Sequence, residues 1–119
     1  MQEVENLIPV FPVRNIEAAK AFYCERLGFK LDWEADTICS VSRDGHSLML
    51  GLNCGAACPA LAWIGLETDA VMELAIRNGL EIVQEPKNES FAYHMKIKDL
   101  DGNILWLGTE RKESSAQVS

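Results

Sequence analysis

Histidine is scarce in this chain: His46 and His94 are the only two in 119 residues. That leaves little material for imidazole metal clusters or catalytic triads. No segment approaches the roughly 18 consecutive apolar residues of a membrane-spanning helix. The first residues, Met1-Gln2-Glu3-Val4-Glu5-Asn6, are acidic and hold no apolar run, so a secretory leader is not expected and a cytoplasmic location is. Basic residues are also few: 11 Lys and Arg stand against 18 Asp and Glu, a net charge of −7. This deficit disfavours nucleic acid and anionic membrane as partners and mildly favours a cationic ligand, beyond its plain value for solubility. There is no G-x-S-x-G elbow, no P-loop and no G-x-G-x-x-G opening a helix. The four cysteines, Cys24, Cys39, Cys54 and Cys58, lack Cys or His partners at zinc spacing and are expected as free thiols in a reducing compartment. Cys54-Gly-Ala-Ala-Cys58 also allows a local disulfide that would say little about function. Cys24, in a helix with only Arg26 as a flanking cation, is a poor nucleophile.

What is present reads as a duplicated α+β domain. Leu7 to Val13 is apolar with two prolines and suits a short or edge strand. Asn15 caps a helix that places Ile16, Ala19, Phe22, Tyr23 and Leu27 near one face, and Gly28 stops it. Strands are predicted at Phe29–Trp33, Ile38–Ser42 and Ser47–Leu52, with Arg43-Asp44-Gly45-His46 as a hairpin turn. After a small-residue linker, 53–59, the order recurs: strand Ala60–Glu67, a helix capped by Thr68 or Asp69 through Arg77, Asn78-Gly79 as its stop. Strands Leu80–Gln84, Phe91–Lys98 and Ile104–Gly108 follow, the last after an Asp101-Gly102 turn. Asp44-Gly45-His46-Ser47-Leu48-Met49-Leu50-Gly51 and Asp101-Gly102-Asn103-Ile104-Leu105-Trp106-Leu107-Gly108 share D-G-x-x-L-x-L-G at equivalent offsets, which marks an internal duplication. The expected organisation is one domain over 1–112, with repeat one about 7–52, repeat two about 60–109, and a polar tail at 113–119. One helix per repeat covers one face of its strands, so the other faces are expected to form a concave surface for a ligand.

Three segments carry a family resemblance: Pro9-x-x-Pro12-x-Arg14-Asn15, Ala21-Phe22-Tyr23-x-x-x-Leu27-Gly28-Phe29 and Lys98-Asp99-Leu100-Asp101-Gly102-Asn103. On these the chain, from about Leu7 to Gly108, resembles the glyoxalase/bleomycin-resistance/dioxygenase (vicinal oxygen chelate) superfamily. The resemblance implies two βαβββ repeats forming a concave, partly open β-barrel-like sheet. Enzymes of that superfamily hold a divalent metal through His, Glu or Gln on the first and last strands of the repeats. Those positions fall on Ile8 and Met49 in repeat one and on Trp63 and Trp106 in repeat two. Ile and Trp offer no lone pair and a Met thioether is soft. The neighbours Leu7, Pro9, Leu48, Leu50, Ala62, Ile64, Leu105 and Leu107 are apolar too, so no metal and no cofactor are expected. The chain is most like the metal-free bleomycin-resistance-type binding proteins of the superfamily.

Strand alternation sends Leu48, Leu50, Leu105 and Leu107 toward the helices and Met49, Ile104 and Trp106 the other way. Trp63 joins the second set, Ile8 and Val10 lie nearby, and Trp33 is a third aromatic of unassigned face. His94 and Lys96 are expected on the ligand side, with Met95 and Ile97 in the core; His46, beside a turn, is expected in solvent. Asp32, Glu34 and Asp36 form an i, i+2, i+4 row that reads as an acidic rim. The candidate ligand-binding set is therefore Trp63, Trp106, Met49, Ile8, His94, Lys96 and Trp33, with no catalytic residue assigned. The leading reading is a non-catalytic homodimeric binder that sequesters a small cationic aromatic compound or drug. The alternatives are a superfamily lyase, isomerase or dioxygenase using a displaced site or His94 as base, and a protein-interaction module.

Overall fold

A computed structural model describes residues 3–53 and 59–112. The helix of the first repeat begins where the sequence places it: the Ala18 N–H donates to Asn15 Oδ1 at 2.9 Å, satisfying a backbone donor that the first helical turn leaves open. Helix α1, Ile16–Ala21, continues into a π-helical turn, Phe22–Arg26, that buries Phe22 and Tyr23 together. Tyr23 meets Phe22 and Phe29 edge-to-face at 5.3 and 5.7 Å, contacts worth about 0.5–1.5 kcal/mol each beyond burial. Gly28 takes φ +76, which lets the Phe29 N–H turn back to the Tyr23 carbonyl at 3.1 Å. The Phe-Tyr-x-x-x-Leu-Gly-Phe segment is thus one closing device, three core side chains and a left-handed stop.

Around α1 lie β1 (Val10–Val13), β2 (Lys30–Glu34), β3 (Ile38–Arg43) and β4 (His46–Leu52), in the order β1-β4-β3-β2. Strand β1 is parallel to β4 and the other pairs are antiparallel. Asp44 and Gly45 both have positive φ, 53 and 83, the left-handed pair that a two-residue hairpin turn requires. Strand β1 is shorter than the Leu7–Val13 segment expected. Pro9 cannot donate to the ladder, although its carbonyl accepts from the Met49 N–H at 3.0 Å, and Leu7 lies in solvent. The core side of this sheet holds Phe11, Val13, Cys39, Val41, Leu48 and Leu50, all buried.

The second repeat gives β5 (Leu61–Gly65), α2 (Ala70–Arg77), β6 (Glu81–Asn88), β7 (Tyr93–Lys98) and β8 (Ile104–Thr109), in the order β5-β8-β7-β6. Strand β5 is parallel to β8, as β1 is to β4. Each sheet also carries a proline, Pro12 or Pro86, on an edge strand, where a missing N–H breaks no interior ladder. Strand β6 runs four residues beyond the expected Gln84, and β7 starts at Tyr93 rather than Phe91. Thr68 rather than Asp69 serves the start of α2, accepting from the Ala70 N–H at 3.3 Å. The Asp69 carboxylate is held by Lys112 Nζ at 2.7 Å. These charges depress the Asp69 pKa and raise that of Lys112.

The duplication extends to an irregularity that composition does not reveal. A bulge separates Leu31 from Trp33 in β2, and another separates Ile82 from Gln84 in β6. The first bulge overturns the expected acidic row. It places Trp33 opposite Ser40 and Glu34 opposite Cys39, and breaks the alternation that would align Asp32 with Glu34. Asp32 accepts from the Ser42 hydroxyl at 2.8 Å and Glu34 from Lys20 Nζ at 2.9 Å, so the Glu34 charge is paired and the three acids do not form one row.

The described chain divides into two compact units, one built on the chain up to Ala60 with Leu100–Asn103, the other on Leu61–Asp99 with the chain from Ile104 onward. In the first, the fully buried Asn103 side chain accepts from the Ala60 N–H at 2.8 Å and donates to the Pro12 carbonyl at 2.9 Å. Asp101 accepts from both the backbone N–H and Nε of Arg14 at 2.9 Å. These bonds explain the Arg14-Asn15 and Asp101-Gly102-Asn103 motifs as partners. Cys54 and Cys58 lie outside the described residues. Asn103→Ala removes the partner of two half-buried backbone groups and is expected to cost about 1–3 kcal/mol in urea unfolding. Arg14→Ala, which removes an exposed ion pair, is expected to cost less than about 1 kcal/mol.

Candidate functional site on the face of the second sheet

Ladder partners point to the same face, so register assigns the side chains that share one. Across the second sheet one row reads Trp63, Trp106, Lys96, Gln84. Met95, Ile97, Leu105 and Leu107 alternate with it and are buried on the α2 side. Trp63 and Trp106 pack edge-to-face with centroids 5.1 Å apart, and Trp63 remains 47% exposed. Lys96 Nζ stands 4.7 Å from the Trp106 ring centroid, within cation–π range.

Two glycines make room for this arrangement. Gly65 and Gly108 are ladder partners, and a Cβ on Gly108 would collide with the six-membered ring of Trp63. The last glycine of the D-G-x-x-L-x-L-G motif therefore clears the floor on which Trp63 lies. The Trp63 indole N–H makes no hydrogen bond among the described residues.

His94 is 2% exposed and fixes the other tryptophan. Trp106 Nε1 donates to His94 Nδ1 at 2.8 Å, and an indole N–H can only donate, so Nδ1 is the acceptor. Gln84 Nε2 lies 3.1 Å from the same nitrogen, and His94 Nε2 lies 3.1 Å from Glu89 Oε2. The set resolves in one way: the neutral ring carries its proton on Nε2 and donates it to Glu89. Lys87, 3.0 Å from the same carboxylate, and then His94 hold the Glu89 pKa below the usual carboxylate value. Phe91, 58% exposed, tilts over His94 at 4.8 Å and meets Trp106 edge-on at 6.3 Å.

The first sheet carries the equivalent row as Val10, Met49, Ser40, Trp33, which assigns Trp33 to the face away from α1. Ile8 precedes β1, and the residue opposite Met49 is Val10. Of the seven expected ligand residues, Trp63, Trp106, His94 and Lys96 come together on the second sheet, Met49 and Trp33 share a row on the first, and Ile8 stands outside the ladder. Gln84, Glu89, Phe91 and Gly108 belong to the second-sheet cluster and were not among the expected residues. Gly108 alone had a signal, as a motif glycine opposite another glycine. His46 is exposed, as expected.

The side chains at the positions the resemblance assigns to a metal do not fit a divalent cation: Trp63 and Trp106 are ladder partners, Met49 stands opposite Val10, and Ile8 precedes β1, so none supplies a hard donor. Among the described residues no three His, Cys, Asp or Glu side chains converge to hold an ion. Burial pushes the Cys24 and Cys39 thiols up, away from nucleophilic reactivity. No helix of the described residues is long and apolar enough to cross a membrane.

Comparison with known proteins places this geometry. Among solved structures the chain is similar to TnmS3, an antibiotic-binding protein from Streptomyces sp. CB03234, with a TM-score of 0.79, 24% identity and coverage of 92% of this chain and 98% of that one. It is similar to the bleomycin resistance determinant encoded on transposon Tn5, with a TM-score of 0.78, 20% identity and coverage of 90% and 98%. A glyoxalase/bleomycin resistance protein from Streptomyces sp. CB03234 gives a TM-score of 0.70, 26% identity and coverage of 85% and 96%. No curated protein sequence matches the chain. The family model for the Glyoxalase/Bleomycin resistance protein/Dioxygenase superfamily matches residues 8–107, and the chain belongs to that superfamily.

Proposed function

We propose that this protein is a non-catalytic, metal-independent binder of a planar aromatic small molecule, acting by sequestration in the cytoplasm as a homodimer. The observation that carries the reading is the half-exposed Trp63 packed on a Trp106 that His94 locks in place. A flat, polarizable wall with fixed rings binds aromatic ligands with little ordering cost. The antibiotic-binding and bleomycin-resistance proteins of the same fold support it. The homodimer rests on size: a chain this small gains stability from association.

The enzyme alternative with His94 as base is the weaker one. Its Nδ1 lone pair is taken by Trp106 and Gln84, its Nε2 by Glu89, and the ring is buried. A general base needs a free lone pair within reach of the substrate.

Intrinsic tryptophan fluorescence, titrated in parallel with planar aromatic drugs and with divalent metals, tests the reading. Saturable quenching by a drug and none by metal is expected; a response to metal alone overturns it in favour of the enzyme. Trp63→Ala and Trp106→Leu are each expected to weaken binding by about 0.5–1.5 kcal/mol, a ring-contact contribution. Gly108→Ala, which displaces the Trp63 ring, is expected to weaken it similarly while His94→Gln loosens Trp106. Fluorescence that changes on dilution but not with any ligand would assign the Trp face to a protein interface instead.

A further inference from the structure

Net charge alone predicts a cationic ligand, but the local arrangement on the second sheet points the other way. Four lysines belong to the described part of the second unit. Lys87 has Glu89 at 3.0 Å, Lys98 has Glu81 at 3.4 Å and Lys112 has Asp69 at 2.7 Å. Lys96 has no carboxylate partner among the described residues, although the chain carries a surplus of acids. It is also the one charge in the row formed with Trp63, Trp106 and Gln84.

The hydrogen-bonding inventory has the same polarity. Beside the aromatic wall two donors have no protein acceptor among the described residues: the Lys96 ammonium and the Trp63 indole N–H. The carboxylate bonded to His94, that of Glu89, is shared between Lys87 and His94. Of the three acids expected as a rim on the first sheet, Glu34 is paired with Lys20, while Asp32 accepts from the Ser42 hydroxyl and Asp36 is exposed; none of the three belongs to the second sheet. A cationic ligand would meet a like charge and compete with it for the face of Trp106. A ligand with an oxygen anion would meet a cation and a neutral donor, so that Lys96, in leaving the face of Trp106 to a ligand ring, keeps a charged partner.

We infer that the ligand is a planar aromatic anion, such as an arenecarboxylate or a phenolate, whose ring lies on Trp63 and Trp106 and whose charged oxygen faces Lys96. This rests on the aromatic-binding reading above and gives it a ligand class. Lys96 is then the specificity residue of the face and the two tryptophans its affinity residues.

Three probes on one ring separate the two claims: naphthalene-2-carboxylate, naphthalene-2-carboxamide and 2-naphthyltrimethylammonium, measured by isothermal titration calorimetry on the full chain. The carboxylate is expected to bind about fivefold more tightly than the amide, the scale of one partly exposed charge pair, and the ammonium most weakly. The carboxylate-to-amide ratio is expected to fall to about one in Lys96→Gln, to persist in Lys96→Arg, and to shrink with added salt. Thermal unfolding of each variant confirms that it is folded. Equal or tighter binding of the ammonium overturns the anion assignment and leaves the aromatic reading standing, as does a ratio unchanged in Lys96→Gln. Heat-silent titrations with all three probes overturn both.

Discussion

Each half of this molecule is organised by one pairing, the parallel contact of its first strand with its last: β1 with β4 and β5 with β8. Parallel neighbours cannot be joined by a tight turn, so the chain must leave the sheet after the first strand and return through a helix. That helix covers one face. Its cap, its glycine stop and its apolar stripe then follow as the local means of making a short crossover fit. The opposite face of each sheet has no helix of its own half against it. Because the last strand is bracketed by the first strand and the third, its outward residue becomes the centre of a row of four side chains. In the second half that residue is Trp106.

The position of Trp106 turns a packing rule into a site. A tryptophan in the middle of such a row is shielded from water and needs an acceptor for its N–H, unlike the half-exposed Trp63 at the edge, whose N–H solvent can reach. His94, on the neighbouring strand, supplies the acceptor, and its other nitrogen is satisfied by Glu89 in the turn after β6. The chain from carboxylate to imidazole to indole converts a ring that would otherwise sample rotamers into a fixed surface. The same bonds engage both ring nitrogens of His94, so the order of the Trp106 ring and the occupation of the imidazole have one cause.

The repeat, the two helices with their stops, the hairpin turns and the core face of every central strand were all readable in the sequence, because each rests on a short-range rule. Asn15 caps, Gly28 turns left-handed, and Leu48, Leu50, Leu105 and Leu107 alternate. Trp63, Trp106, His94 and Lys96 were legible as one face for the same reason. What the pattern did not contain were features fixed by partners far along the chain. The bulges at Asp32 and Val83 shift the register of β2 and β6 and so decide the neighbours of Trp33 and Gln84, yet neither residue is a glycine or proline that would mark them. Glu89 and Phe91 join the site through a turn, where alternation has no authority. Pro9 is legible in the sequence, but the start of β1 at Val10 depends on the pairing with β4, which lies about forty residues along the chain.

The two halves share a frame and differ in what fills it. At equivalent ladder positions the first carries Val10, Met49, Ser40 and Trp33, the second Trp63, Trp106, Lys96 and Gln84. At the first two positions the first half carries a valine and a methionine, the second two indoles packed edge-to-face. The neighbouring position has exchanged a hydroxyl for an ammonium. Gly51 and Gly108 hold the same place in the repeat, but Gly51 faces Pro12 across the ladder where Gly108 faces Gly65. In the second half the room above Gly108 is taken by the Trp63 ring. The difference between the halves therefore resides in side chains at a few duplicated positions, while the strands that carry them are set by the parallel pairing and its helix. A superfamily built on this repeat can replace metal ligands with aromatic rings at the same positions without disturbing the fold, since those positions face away from the core that stabilises it.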